Sequence, residues 1–154
     1  MITDQDIHNA LAAQGACRSN REVRAVRLLL NGLNSGNVFQ QDDFTLHSGS
    51  KSFWKLNCDA FIDQDWATLA RIIGRRLAFQ AVEGVPRGGL RLAEQLERYR
   101  RSEGGLLIVD DVLTTGASME QQRAGREAKG IVVFARGQVP AWVTPMWSLH
   151  GFFA

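Results

Sequence analysis

Residues 106–118 read LLIVDDVLTTGAS, and no other stretch limits the fold of this 154-residue chain as sharply. Leu106 to Val109 form an apolar run too short for a helix, preceded by Gly104 and Gly105, which suits a strand buried on both faces. The run ends in Asp110 and Asp111. In an open α/β sheet that places two carboxylates at the carboxyl edge, where such sheets bind ligands. Leu113, Thr114, Thr115, Gly116, Ala117 and Ser118 follow, small and hydroxylated residues able to turn sharply into a helix. Backbone N–H groups in such a loop point at an anion, and Thr and Ser hydroxyls add donors without bulk. A ligand that satisfies both halves carries vicinal hydroxyls beside a phosphate, as ribose 5-phosphate does. The plainer alternative is a buried strand running into an ordinary capped helix.

The same pattern repeats around this stretch. Gln80 to Val85 reads as a short strand that runs into Pro86-Arg87-Gly88-Gly89 and a helix with Leu92, Ala93, Leu96 and Tyr99 inward. Glycines there let backbone approach a ligand, and Arg87 adds charge, although such a loop is also a plain tight turn. Ser118 to Ala128 reads as a helix and Ile131 to Ala135 as another buried strand. Successive strand-loop-helix passes predict an α/β fold with a doubly wound, mostly parallel sheet and right-handed crossovers. Trp142 to Trp147 fits a last edge strand, since Pro145 argues against a central one.

Before the sheet, helices are predicted over residues 3–15 and 19–30, a hairpin-like pair of strands over Phe44 to Phe61, and a third helix capped by Asp63 or Asp65. Trp66, Leu69, Ala70, Ile73 and Leu77 are its inward stripe. Arg18, Arg21, Arg24 and Arg27 form a row that suits either a nucleic-acid contact or a solvated face. With no aromatics interleaved, nucleic acid is not the expected partner.

The length supports one core, so a single domain over 1–154 is expected: helices and hood over about 1–60, sheet over about 61–140, edge segment over 141–154. Cys17 and Cys58 have neither metal-ligand nor framework spacing, which suits reduced thiols. The acidic start and the lack of a long apolar run predict a cytoplasmic protein without a membrane span. Net charge is +2, yet the basic residues are 15 Arg against 3 Lys, a bias toward the planar donor that grips phosphate bidentately.

The 106–118 stretch resembles the phosphoribosyl pyrophosphate (PRPP) binding motif of the type I phosphoribosyltransferases: an apolar strand, two acids and a Thr-Thr-Gly loop. The resemblance assigns Asp110 and Asp111 to the ribose hydroxyls as the catalytic acids and Leu113, Thr114, Thr115, Gly116, Ala117 and Ser118 to the 5-phosphate. Gly84 to Gly89 resembles the family's diphosphate loop, which gives Arg87 and Gly88, with Lys51 of the hood, to the diphosphate. Residues 44–57 resemble the hood of the orotate phosphoribosyltransferases in Phe44, Thr45, Leu46, Ser48, Gly49, Ser52 and Asn57. They depart from it with His47 in place of a Lys and with Lys55 and Leu56 where aromatics stack on the base. Phe53 and Trp54 then stand as the base pocket, or as core.

The resemblance implies transfer of a phosphoribosyl group from PRPP to a nitrogenous base, orotate-like or another pyrimidine or purine, with release of diphosphate. It also implies Mg²⁺ held through substrate oxygens and water, with no direct protein ligand. One family element is absent. Only Arg100-Arg101-Ser102-Glu103-Gly104-Gly105 separates Tyr99 from Leu106, where orotate-type enzymes carry a further strand and a long basic lid. Arg98, Arg100 and Arg101 either replace the lid or are helix-end charges. A second copy, in a homodimer, could also cover the site. The alternative function is a PRPP- or nucleotide-sensing module that has lost turnover.

Overall fold

The computed structural model describes residues 38–45, 49 and 51–149. The helices expected over 3–15 and 19–30 lie outside the described residues, as do Leu46, His47 and Ser48. The chain packs as two compact units, Met1–Ala60 and Phe61–Ala154.

In the first unit, β1 (Phe39–Thr45) and β2 (Lys51–Leu56) pair antiparallel, from Phe39 opposite Leu56 to Thr45 opposite Lys51, with a register shift between Gln41 and Phe44. A hairpin forms as expected, but it lies earlier than Phe44 to Phe61: its first strand begins at Phe39 and its second ends at Leu56. A short 3₁₀ turn, Cys58–Ala60, closes the unit and buries Cys58.

The second unit starts with α1 (Asp63–Arg76), whose Trp66, Leu69, Ala70 and Ile73 are buried as the helical spacing requires. Its N-cap is Ile62, not Asp63 or Asp65. Asp65 acts from inside the first turn, where its Oδ2 accepts from the Ile62 N–H at 3.0 Å. β3 (Ala81–Gly84), α2 (Leu90–Leu96) with a 3₁₀ extension over Glu97–Tyr99, β4 (Leu106–Leu113), α3 (Ala117–Arg123), β5 (Lys129–Ala135) and β6 (Val143–Ser148) follow. The four strands form one parallel sheet in the order β3-β4-β5-β6. β4 and β5 are central and apolar, and Pro145 sits on the edge strand, where its missing N–H costs no ladder bond.

Two elements differ in length from their expected spans. β4 does not stop at the acids; it continues through them to Leu113. α3 ends at Arg123 rather than Ala128, because Ala124 (φ 50) and Gly125 (φ 75) take the left-handed conformation that terminates a helix.

Helices cover both faces of the sheet. Glu83 and Ile108 share a face by register; Glu83 accepts from Gln122 of α3 and from Arg126 just past it, and Ile108 packs in the cluster around Met119 of α3. Gly84 points the other way and has Gly89 and Leu90, the start of α2, directly over it. α1 packs on α2, and α2 on β3 and β4. The crossovers through α2 and α3 advance in the same direction across the sheet on opposite faces, so they have opposite hands. The β5-to-β6 connection, with Val139 and Trp142 in the Met119 cluster, runs on the α3 face. One of the two crossovers therefore departs from the right-handed rule. The short 100–105 link returns the chain to the nearer side of β3 with no room to place a further strand beyond it.

Candidate functional site at the carboxyl edge of the sheet

Parallel strands bring the loops after β3, β4 and β5 to one edge. The first is a tight turn: Gly89 N–H donates to the Val85 carbonyl at 2.8 Å, and Val85 N–H to the Val109 carbonyl of β4 at 2.8 Å. The Pro86–Arg87 peptide is cis. Arg87 is exposed and makes no ion pair among the described residues. Gly88 lies directly against Asp111: a Cβ on Gly88 would stand 2.1 Å from Asp111 Oδ1, inside any allowed contact. Residues 23 positions apart thus meet at van der Waals distance, and only glycine fits.

The two acids do not present alike. Because β4 runs through them, successive side chains leave on opposite faces. Asp111 is half-buried against Gly88, and its Oδ1 accepts from the Val112 N–H at 2.6 Å. Asp110 is buried, 7% exposed, and its Oδ1 accepts from the Asp111 N–H at 2.9 Å. Burial disfavours its charged form, and the neighbouring Asp111 carboxylate adds repulsion, so the pKa of Asp110 rises from 3.8 to about 8. The shift favours the protonated carboxyl, which can donate a hydrogen bond as well as accept one.

The residues assigned to the 5-phosphate differ in their setting. Leu113 is a buried strand residue whose carbonyl accepts from the Arg136 N–H at 2.8 Å. Thr114, Thr115 and Ser118 are exposed with their hydroxyls at the edge, and Ala117 opens α3. Gly116 is the N-cap at φ 80, ψ −2, where an L side chain is strained, and Pro140 of the β5–β6 loop packs beneath it. The Thr115 Oγ1 accepts from the Ala117 N–H at 3.4 Å.

Lys51, Phe53 and Trp54 belong to β2 in the first unit. Lys51 and Phe53 are exposed, Trp54 is half-buried, and the Trp54 carbonyl accepts from Ser52 Oγ at 2.6 Å. Strand alternation sends Phe53 and Trp54 to opposite faces of the hairpin, so they do not form one aromatic wall.

Arg136 is a cation that sequence reasoning passed over. It follows β5 at the same edge, beside the end of β4, and burial pulls its pKa below the usual guanidinium value. The available signal was positional: it is the first residue after the third buried strand, where a ligand edge is expected.

Arg100 and Arg101 are anchored away from the loops of the candidate site. Arg100 Nε donates to the Gln80 carbonyl at 2.7 Å, Arg101 N–H to the Phe79 carbonyl at 2.8 Å, and Arg101 Nη2 to the Gly74 carbonyl at 3.1 Å. These acceptors precede β3, at the amino edge of the sheet. Four strand residues, about 13 Å, separate that edge from Asp110.

Among the described residues, no group of three or more His, Cys, Asp or Glu could hold a metal ion. Mg²⁺ held through substrate oxygens and water requires no such group and no direct protein ligand.

The chain matches known structures in its overall fold. The fold is that of the type I phosphoribosyltransferases. The chain is similar to the orotate phosphoribosyltransferase of Aeropyrum pernix, at 22% identity over 79% of this chain and 93% of that one, with a TM-score of 0.58. It is also similar to Leishmania donovani UMP synthase, at 19% identity over 90% of this chain and 40% of that one, TM-score 0.60. A third is the orotate phosphoribosyltransferase of Mycobacterium tuberculosis solved with inorganic phosphate, at 18% identity over 81% and 94%, TM-score 0.53. By sequence alone, no family model and no curated protein matches. Within the phosphoribosyltransferase fold, the 106–118 strand and the 84–89 loop occupy adjacent strands, with their loops at the ligand edge. No helix among the described residues is long and apolar enough to cross a membrane.

Proposed function

We propose that this chain binds PRPP at the carboxyl edge and transfers its phosphoribosyl group to a nitrogenous base, releasing diphosphate. The observation that carries this reading is the contact of Gly88 with the Asp111 carboxylate, which puts the diphosphate loop beside the acid assigned to the ribose. Asp111 accepts from a ribose hydroxyl, and Asp110 holds its neighbour's backbone and, in the protonated form that burial favours, offers one donor. Thr114, Thr115, Gly116, Ala117 and Ser118 hold the 5-phosphate through hydroxyls and backbone N–H groups. Arg87 and the Gly88 backbone take the diphosphate, with Lys51 as a further cation. As the anomeric C–O bond breaks, positive charge develops on the ribose, and the base nitrogen attacks the opposite face. Arg87 offsets charge on the departing diphosphate. Mg²⁺, when bound with the substrate, supplies further charge neutralisation. Phe53 or Trp54, one but not both, lines the base, and the site is cytoplasmic.

A sensing role is the second reading, favoured by one observation: Arg100 and Arg101 are tied to the amino edge, away from the loops of the site. The deciding experiment is PRPP-dependent diphosphate release measured against a panel of pyrimidines and purines, with PRPP binding followed by calorimetry in parallel. Binding with base-dependent release supports transfer, binding without release supports sensing, and absence of binding refutes both.

A further inference from the structure

The edge of the sheet opposite the candidate site is lined with arginines that the reading above does not use. Arg71, Arg75 and Arg76 are exposed on the last turns of α1, and Arg98, Arg100 and Arg101 are exposed just beyond α2. The fold gathers the two sets in one place. Tyr99 lies against Gly74 so closely that a Cβ there would stand 2.5 Å from the ring, and Arg101 Nη2 donates to the Gly74 carbonyl. Against these six guanidinium groups stand Glu94, exposed on α2, Glu97, which pairs with Arg100 at 3.0 Å, and Glu103. The helix dipole accounts for Arg75 and Arg76 at the end of α1 and for Arg98 in the last turn after α2, but not for Arg71.

We infer that this amino-edge surface binds the phosphate backbone of a nucleic-acid duplex, independently of sequence and of the carboxyl-edge site. All six cations are Arg, whose planar fork meets a phosphodiester bidentately. Arg71 and Arg75 are one helical turn apart, about 6 Å, a reach that lets each meet its own phosphate. Arg100 and Arg101 are held by carbonyl contacts that use only part of their five donors, so they lose little rotamer freedom on binding. Among the described residues of the second unit, the exposed large apolar residues are Ile62, Leu90 and Trp147, and none belongs to the last turns of α1 or to residues 97–101. Without an exposed aromatic, the patch lacks the stacking platform that single strands use and the apolar wedge that inserts into a membrane interface. This departs from the expectation drawn from the amino-terminal arginine row, which is a different set of residues.

The test is fluorescence anisotropy of a labelled mixed-sequence DNA duplex against the full chain over a salt series. Engagement of all six arginines gives a log–log salt slope of about −5, so affinity falls roughly 10³-fold between about 50 and 200 mM salt. Arg71→Gln, Arg75→Gln and Arg76→Gln combined, at positions that make no ion pair or side-chain hydrogen bond among the described residues, should weaken binding at least tenfold at low salt. The slope should move to about −3. An unchanged circular dichroism melt shows that the variant folds. Ribose 5-phosphate should not compete. Any of four results overturns the inference: no duplex binding at low salt, a triple variant that binds like the parent, competition by ribose 5-phosphate, or retention on phosphatidylcholine–phosphatidylserine vesicles equal to that on the duplex. Loss of PRPP binding, by contrast, would leave it standing.

Discussion

Replacing Asp110 by Asn removes a buried ionisation while keeping the side chain's size, and the consequence for stability can be worked from the structure. The folded pKa is raised, from 3.8 to about 8. Below about pH 4 the carboxyl is protonated in both folded and unfolded chains and has no effect on the slope. Between about pH 4 and 8 the unfolded chain has lost this proton and the folded chain retains it, so stability falls as pH rises, by about 1.4 kcal/mol per pH unit. Above about pH 8 both states are ionised and the loss is complete. Four units bound it at about 6 kcal/mol, and relaxation of the site brings the expected value to a few kcal/mol. Asp110→Asn should abolish this component. Urea unfolding followed by tryptophan fluorescence, at intervals from pH 4 to 9, gives both curves. The two proteins should have similar stability near pH 4, and the variant should be the more stable by pH 8. Parallel pH profiles, or a variant less stable than the parent at pH 8, would refute the argument that Asp110 is buried as a neutral acid.

Gly88→Ala puts a methyl into the Asp111 carboxylate and should lower PRPP affinity by tenfold or more while costing about 1–3 kcal/mol of stability, read by calorimetry and urea unfolding; unaltered PRPP affinity would show that the contact does not shape the site. Arg87→Ala should weaken diphosphate and PRPP binding and spare ribose 5-phosphate, since its loop follows a different strand from Thr114 and Thr115; equal losses for both ligands count against that division. Glu83, held by Arg126 and Gln122 and lowered from 4.5 to about 2, contributes stability that is present above pH 4.5 and is lost as pH falls toward 2. Glu83→Gln should remove that acid limb at a cost of about 1 kcal/mol near neutrality, a modest figure because both partners are partly solvated. Orotate transfer by the isolated chain should fall well below the roughly 1–10³ s⁻¹ usual for enzymes and rise with protein concentration as copies cover the site; a rate in that range independent of concentration would show that no cover is needed.

The sequence by itself determined the class of fold and the order of its loops, because the chemistry there is carried by contiguous residues. An apolar run, two acids and a hydroxylated glycine loop stand in consecutive residues, so their order along a strand and its following loop is legible without the rest of the fold. Pro145 marked the edge strand for the same reason, since a missing N–H is a local property. Where β4 and α3 end was not local. Hydrogen bonding to β5 carried β4 through its acids to Leu113, and the left-handed pair Ala124 and Gly125 cut α3 short. That extension decided the chemistry of the site: alternation along a strand sent Asp110 inward, where burial favours the neutral acid, and left Asp111 at the edge. The meeting of Asp111 with Gly88 needed the parallel register of β3 and β4. The placement of Arg98, Arg100 and Arg101 needed the path of a six-residue link. In the sequence they precede the ligand strand directly; in the structure the carbonyls of Gly74, Phe79 and Gln80 hold Arg100 and Arg101 at the opposite edge. A strand's length separates residues adjacent in the chain, and only the fold fixes which end of the strand each one meets.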